Sequence, residues 1–365
     1  MPYYRTLPAL GLLVPGAAHA ATFSVIGSAP GPAQIGAASG KLLYGTMQWN
    51  DGSGVLFALS TDGKTYTALH VFAGGTDGSG AESRLAQDSS RNIYGASQMG
   101  GTTNGGTIWE YSASGAFSVL HTFGIGTDAT NPLQGPVLAP DGALFGTASS
   151  GAIGGSGDLY KLKTTGHYKV LHDFMSGNDG HCPFSGVAIG KGGAIYGTTI
   201  GRGYGGNPTG SVWRYTQKAG AVTIYVFQDG NDGEWPDQAP AVDQGGNVYG
   251  TTHIQNGANF PGAVWSLTPN GKSAVLYNFT GSTDGYAPNS PLLLDTNGTL
   301  YGTTASGGQY NDGTVFGITP SGAFTMIHAF TGGNDGATPT GNLAADKNGV
   351  IYGGVTSGQV FKIVP

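Results

Sequence analysis

An aromatic-glycine pair recurs along this chain at Tyr44-Gly45, Tyr94-Gly95, Phe145-Gly146, Tyr196-Gly197, Tyr249-Gly250, Tyr301-Gly302 and Tyr352-Gly353, at intervals of 50 to 53 residues. A second signature follows each pair: glycine, any residue, an aliphatic and an aromatic. It runs from Gly54 to Phe57, Gly106 to Trp109, Gly157 to Tyr160, Gly210 to Trp213, Gly262 to Trp265, Gly313 to Phe316 and Gly358 to Phe361. Two patterns in register over seven copies mark a repeat architecture. A period near 50 residues is that of a supersecondary unit, which must stack on its neighbours to bury its apolar face.

Each unit holds four short runs of β-branched and aromatic residues separated by Gly, Asn, Asp and Pro. In 291–330 the runs are Pro291 to Asp295, Thr299 to Thr304, Thr314 to Thr319 and Phe324 to Phe330, with hairpin turns at Asn297-Gly298 and Ser321-Gly322. Gly (68) and Pro (19) make up close to a quarter of the 365 residues. Glycine is unfavourable in helix interiors, and no helical periodicity of useful length is present. The 39% hydrophobic content, with 18 Tyr, 15 Phe and 5 Trp, is too high for a disordered chain. The spacing predicts an all-β, seven-bladed β-propeller of four-stranded antiparallel blades. The last unit stops at a third strand, Phe361 to Val364, and Thr22 to Ile26 resembles a fourth strand with no first three. The N-terminal strand is therefore expected to complete the last blade and close the ring, leaving no open sheet edge at the seam. An open β-solenoid is the rival and would leave both end strands unpaired.

Segments such as LYGTTASGGQYNDGTVFGITPSG at 300–322 and IYGASQMGGTTNGG at 93–106 resemble the GloVer-type (choice-of-anchor) tandem-repeat β-propeller family. The likeness runs over roughly 23–365. It implies the fold and carries no general chemistry. No added anchor segment follows Pro365, which points to a released protein.

Arg5, the apolar run from Leu7 to Val14 and Ala18-His19-Ala20 read as a cleaved signal peptide over 1–20, with 21–365 as one propeller domain. A secreted protein, periplasmic or extracellular, is expected, and it should be a monomer. The net charge of −6 and the lack of any Lys/Arg cluster speak against nucleic acid. No apolar run approaches the ~20 residues of a membrane span. Cys182 is the one cysteine, so no intrachain disulfide forms; its neighbour His181 is the nearest base in sequence. A single thiol is more often inert than reactive.

In a propeller the loops between strands two and three, and those from strand four to the next blade, share one face. Here those are the long loops, and binding residues favour long loops on a rigid scaffold. A repeated Asp lies in the strand-four exit loops: Asp77, Asp128, Asp179, Asp232, Asp284 and Asp335. A ring of carboxylates at a channel mouth suits Ca2+. Alternatively each Asp caps its own turn, which six copies in a fold repeat favour. No other cofactor and no further metal site is indicated. His70, His121, His172 and His328 share one repeat position, filled by Tyr225 and Tyr277 elsewhere, and read as structural.

Residues that break the repeat are more informative. His181, Arg202 and Tyr204 fall in blade 4 loops, and Glu234, Trp235, Asp237 and His253 in blade 5 loops, all on the long-loop face. Arg can hold a carboxylate, His or Tyr can move a proton, and Trp can stack on a sugar ring. Two functions fit. In the first, the face binds an extracellular carbohydrate, such as a polysaccharide, or a surface protein, with His181, Glu234 and Trp235 as ligand contacts. In the alternative the chain is a lyase or hydrolase acting on an acidic polysaccharide, with Arg202 on the carboxylate and His253 or Tyr204 as acid or base. A purely structural repeat is a third possibility. No nucleophile elbow, zinc motif or phosphate loop is present.

Overall fold

The computed structural model describes residues 21–49, 53–81, 84–175, 180–201, 209–228, 232–253 and 261–365. Seven antiparallel sheets follow one another around a ring. Blade 1 is Gln34–Ser39, Leu42–Gln48, Gly54–Ser60 and Tyr66–Phe72. Blade 2 is Ala86–Gln87, Ile93–Met99, Thr107–Tyr111 and Phe117–Thr122. Blade 3 is Val137–Leu138, Ala143–Ala148, Asp158–Lys163 and Tyr168–Asp173. Blade 4 is Ala188–Ile189, Ile195–Thr199, Ser211–Thr216 and Gly220–Val226. Blade 5 is Ala241–Val242, Val248–Thr252, Ala263–Leu267 and Ser273–Asn278. Blade 6 is Leu293–Leu294, Leu300–Ser306, Thr314–Ile318 and Phe324–Ala329. Blade 7 is Pro339–Ala345, Ile351–Val355 and Gln359–Val364, with Thr22–Ser28 as its fourth strand. The ring closes as expected: Thr22 pairs with Val364 and Ser28 with Gln359. No helix among the described residues is long and apolar enough to cross a membrane.

The two sequence signatures turn out to be cross-strand partners. The glycine of each aromatic-glycine pair sits opposite the aromatic of the second signature: Gly45 faces Phe57, Gly95 faces Trp109, and Gly146 faces Tyr160. Gly197 and Gly250 face Trp213 and Trp265. Gly302 and Gly353 face Phe316 and Phe361. The ring lies flat over its glycine, so a Cβ there would come closer than 3.0 Å to ring atoms in all seven blades. These rings are almost wholly buried and, with the Phe that follows strand four, make the core between neighbouring blades.

A second device locks successive blades. Pro132, Pro183, Pro236, Pro288 and Pro339 begin five blades, and each packs within 3.0 Å of where a Cβ would sit on Gly106, Gly157, Gly210, Gly262 and Gly313 of the preceding blade. The residue before each proline, Asn131, Cys182, Trp235, Ala287 and Thr338, is held at φ between 50° and 60°. That left-handed conformation is unusual for residues with a side chain and persists only where the surroundings enforce it.

A third device joins the Asp column to the His/Tyr column. Seven residues separate the two, and each pair bonds: His70 Nε2 to Asp77 (3.1 Å), His121 to Asp128 (2.9 Å) and His328 to Asp335 (2.8 Å). The Tyr225 and Tyr277 hydroxyls donate to Asp232 (2.6 Å) and Asp284 (2.9 Å). The same Asp also accepts a backbone N–H at the start of its loop, from Ala73, Gln228, Thr280 or Thr331. So the carboxylate closes a loop, though it accepts from residues before it as well as from its own turn. Asp179 and the pairing of His172 with it lie outside the described residues. The ring then stacks on the next blade's fourth strand: His70 on Phe117, His121 on Tyr168 and Tyr277 on Phe324, with centroids 3.7 to 4.0 Å apart. His328 stacks on Phe23 at 3.6 Å, which carries this belt across the seam.

Two substitutions test the frame. Gly250→Ala drives a methyl into the Trp265 ring and is expected to destabilise the protein by ~1–3 kcal/mol, as over-packing does. Gly298→Ala, in an open turn with nothing within 4 Å of the added Cβ, meets only the strain of its φ of 88° and should cost less. Urea denaturation of both variants checks the order; equal losses would mean that the glycine and ring are not locked together.

Candidate functional site

Each first strand leaves the long-loop face and ends in a tight turn on the opposite one. The long-loop face is extended by short pairings between each entry loop and the end of strand two: Ser79 with Met99, Ala129–Thr130 with Ser150–Gly151, and Tyr286 with Ser306. His181 makes the equivalent bridge to Gly201, its N–H donating to the Gly201 carbonyl at 2.6 Å. His181 and Glu234 thus occupy one repeat position, just before the left-handed residue, which is Cys182 in blade 4 and Trp235 in blade 5.

In the blade 5 loops, four candidates come together. The His253 N–H donates to the Glu234 carbonyl at 3.2 Å, and His253 Nδ1 lies 3.4 Å from Asp237 Oδ2. This hydrogen bond raises the His253 pKa above the usual histidine value, against the opposing effect of burial. Glu234 is buried, with 3% of its surface exposed. Trp235 is 42% exposed although its backbone is fixed at both ends: its N–H donates to the Thr209 carbonyl, and its own carbonyl accepts from Asp237 N–H. The result is a partly exposed indole on a hydrogen-bonded backbone, with a carboxylate-oriented imidazole in the same pair of loops. Blade 4 contributes His181, whose Nδ1 is 2.6 Å from the Cys182 thiol. Burial pushes that thiol's pKa up, which disfavours the thiolate. Arg202 and Tyr204 lie outside the described residues.

Clefts open between blades among the described residues. One of about 590 Å3 lies on the tight-turn face between blades 3 and 4 and includes Asp141, Phe145, Lys161, Lys169 and Tyr215. One of 360 Å3 runs between blades 4 and 5 beside Tyr225, Asp232 and Trp265, and one of 350 Å3 lies between blades 1 and 2 beside Tyr44 and Arg91. None of the three is lined by His181, Glu234, Trp235 or His253. Among the described residues, no three His, Cys, Asp or Glu side chains are grouped as metal ligands.

Sequence reasoning passed over Asp158. It follows Gly157 at a position filled by Val55, Thr107, Ser211, Ala263, Thr314 and Gln359 in the other blades, so a carboxylate there was a visible departure. The side chain is fully buried, accepts from the Ala129 N–H (3.1 Å) and the Tyr168 hydroxyl (3.0 Å), and sits directly across the strand pair from Asp173. Burial raises its pKa to about 7, helped by the charges of Asp173 and Asp128. One oxygen of each of these three carboxylates is enclosed with no partner among the described residues.

The architecture defines a seven-bladed β-propeller built from tandem repeats. The chain belongs to the Gloeobacter/Verrucomicrobia repeat family, whose model matches residues 17–209 and 175–363. No curated protein sequence matches it. Among solved structures it is similar to a streptogramin B lyase, with a TM-score of 0.60 and 14% identity over 94% of this chain and 98% of that one. It is also similar to the extracellular domain of a protein described as a one component system of B. thetaiotaomicron, with a TM-score of 0.58 and 15% identity over 93% of this chain and 39% of that one. PorZ, a bacterial surface component of the type-IX secretion system of Porphyromonas gingivalis, gives a TM-score of 0.55 and 15% identity over 89% of this chain and 45% of that one. The chain therefore spans less than half of the latter two proteins. At these identities the likeness is one of fold.

Asp158 generates a pH prediction. A carboxyl whose folded pKa lies above its unfolded value binds its proton more tightly when folded. Its favourable contribution is complete below about pH 4 and lost as pH rises toward about 7. Asp158→Asn keeps an acceptor for Ala129 and Tyr168 and removes the charge. It is expected to melt at least ~2 °C above the parent at pH 8, with the gap closing toward pH 4. A gap independent of pH would count against a raised Asp158 pKa.

Proposed function

We propose that this is an exported propeller, freed of residues 1–20, that holds an extracellular carbohydrate on its long-loop face through blades 4 and 5. The observation that carries this reading is Trp235: a large indole left 42% exposed on a backbone fixed by Pro236 and by hydrogen bonds on both sides. An aromatic side chain with few rotatable bonds loses little entropy when it stacks on a sugar, and His253 and Asp237 in the same pair of loops supply hydrogen-bond partners for hydroxyls. His181 lies at the repeat position that Glu234 fills in blade 5. A surface protein is the other occupant that such a face suits.

The second reading, a lyase or hydrolase of acidic polysaccharides, draws on one feature. His253 is oriented by Asp237, whose hydrogen bond raises its pKa and so favours the protonated form that a proton donor requires. Arg202 would then neutralise a uronate and Tyr204 would serve as the second proton-transfer group.

The test is retention of the mature protein on immobilised neutral and uronate-containing polysaccharides, with assay of new reducing ends and unsaturated products. Trp235→Ala is expected to weaken retention about tenfold or more, a loss near 1.4 kcal/mol. Equal retention of parent and variant, or none on any glycan, removes the carbohydrate reading. Product formation that disappears in His253→Asn while retention persists would establish the enzyme instead.

A further inference from the structure

The first strands of successive blades line the ring's axis, and the residue at the head of each is small in three successive blades: Gly135 in blade 3, Gly186 in blade 4 and Ala239 in blade 5. In blade 2 it is Arg84. Its side chain crosses the channel past blade 3 to blade 4. A Cβ on Gly135 would collide with the Arg84 carbonyl, and one on Gly186 would lie 2.8 Å from Arg84 Nη1. The same Gly186 position faces the Gln134 and Ala239 side chains at 3.1 and 3.5 Å. Glycine at 186 is therefore the space in which the guanidinium lies.

Among the described residues no counter-charge meets that guanidinium. The Arg84 residue is only partly buried as a whole, but Nη1 is enclosed and has no hydrogen-bond partner, and no ion pair among the described residues includes it. Gln134 Oε1 beside it is also enclosed and unpartnered, and its amide can present oxygen or NH2 by rotation about its last torsion. Burial alone pulls the Arg84 pKa down to about 10, still well above neutrality, so the charge remains. A buried guanidinium without a counter-charge is unfavourable and does not shed its proton as a histidine or lysine would. Among the described residues nothing satisfies Nη1, so a bound water or an anionic ligand must, and of the two only the anion also offsets the charge. Because the first strands leave the long-loop face, Arg84 stands at that end of the channel.

We infer that the axial channel is a binding site for a small oxyanion, a carboxylate, sulfate or phosphate group, held by the Arg84 fork with Gln134 beside it. The planar fork matches two oxygens of one such group, which makes it selective for oxyanions over halides. The site lies on the axis rather than on the blade 4 and 5 loops, so it stands whether or not those loops hold a glycan.

The experiment follows the melting temperature of the mature protein with sodium sulfate, phosphate, glucuronate and chloride titrated separately at fixed ionic strength. A saturable rise with the oxyanions, steeper than with chloride, is expected for the parent, and which of the three saturates first identifies the source. Arg84→Met, which removes the uncompensated charge, is expected to lose the saturable rise and to melt no lower than the parent without anion. Arg84→Lys keeps the charge without the fork and should bind about tenfold more weakly, which also guards against a poorly folded methionine variant. Crystals soaked in selenate should show the anion within hydrogen-bond distance of Nη1. Identical anion responses in parent and both variants, or only water at the guanidinium in those crystals, overturns the inference.

Discussion

Seven aromatic rings lying on seven glycines hold this protein together. Each ring reaches across a strand pair and covers a residue with no side chain, so the second and third strands approach over that spot while the ring seals the space toward the next blade. Phe57, Trp109, Tyr160, Trp213, Trp265, Phe316 and Phe361 are among the most deeply buried side chains of the chain. The ring can be Phe, Tyr or Trp because the glycine sets the floor and the neighbouring blade sets the ceiling. No other residue can replace the glycine, because any Cβ enters the ring. The burial of these rings and of the Phe after each fourth strand is the main favourable term of the fold.

The outer belt and the inter-blade prolines work on top of this lock. A His or Tyr from one blade bonds the Asp that shapes its own exit loop and stacks on the following blade, so loop geometry and blade-to-blade angle are set by the same side chain. The prolines then pin each entry loop against the preceding blade, and the residue before each proline is forced into the left-handed region. Trp235 owes its fixed exposure to this device. A position that the repeat uses for structure has become, in blade 5, one that offers an aromatic face to solvent.

The periodicity made the fold legible, including the number of blades and the closure by Thr22–Ser28, because each strand of the repeat is written out in full with its turn residues. The pairing of His or Tyr with Asp was also present, as two columns separated by seven residues, but the columns were read apart. Position alone does not say that two side chains on a bending loop point at one another. Asp158 stands at a strand position whose equivalents are Val55, Thr107, Ser211, Ala263, Thr314 and Gln359, and a single carboxylate in so variable a column does not reveal that Asp173 and Asp128 lie near it. Arg84 could not be seen as unneutralised from sequence. What isolates it is the absence of side chains at Gly135 and Gly186, one and two blades away, and that relation exists only once the ring has closed. For the candidate residues of blades 4 and 5 chain order names the loops they belong to; which of them touch, as His253 and Asp237 do, depends on loop path.

The seam carries one more implication. Thr22 and Val364 are paired neighbours at the outer edge of blade 7, at the end of that blade away from the long loops. Ala21 and Pro365 therefore emerge side by side, at the perimeter and on the tight-turn side. Whatever is joined to the polypeptide at either terminus holds the disc from behind, with Trp235, His253 and the Arg84 end of the channel directed outward.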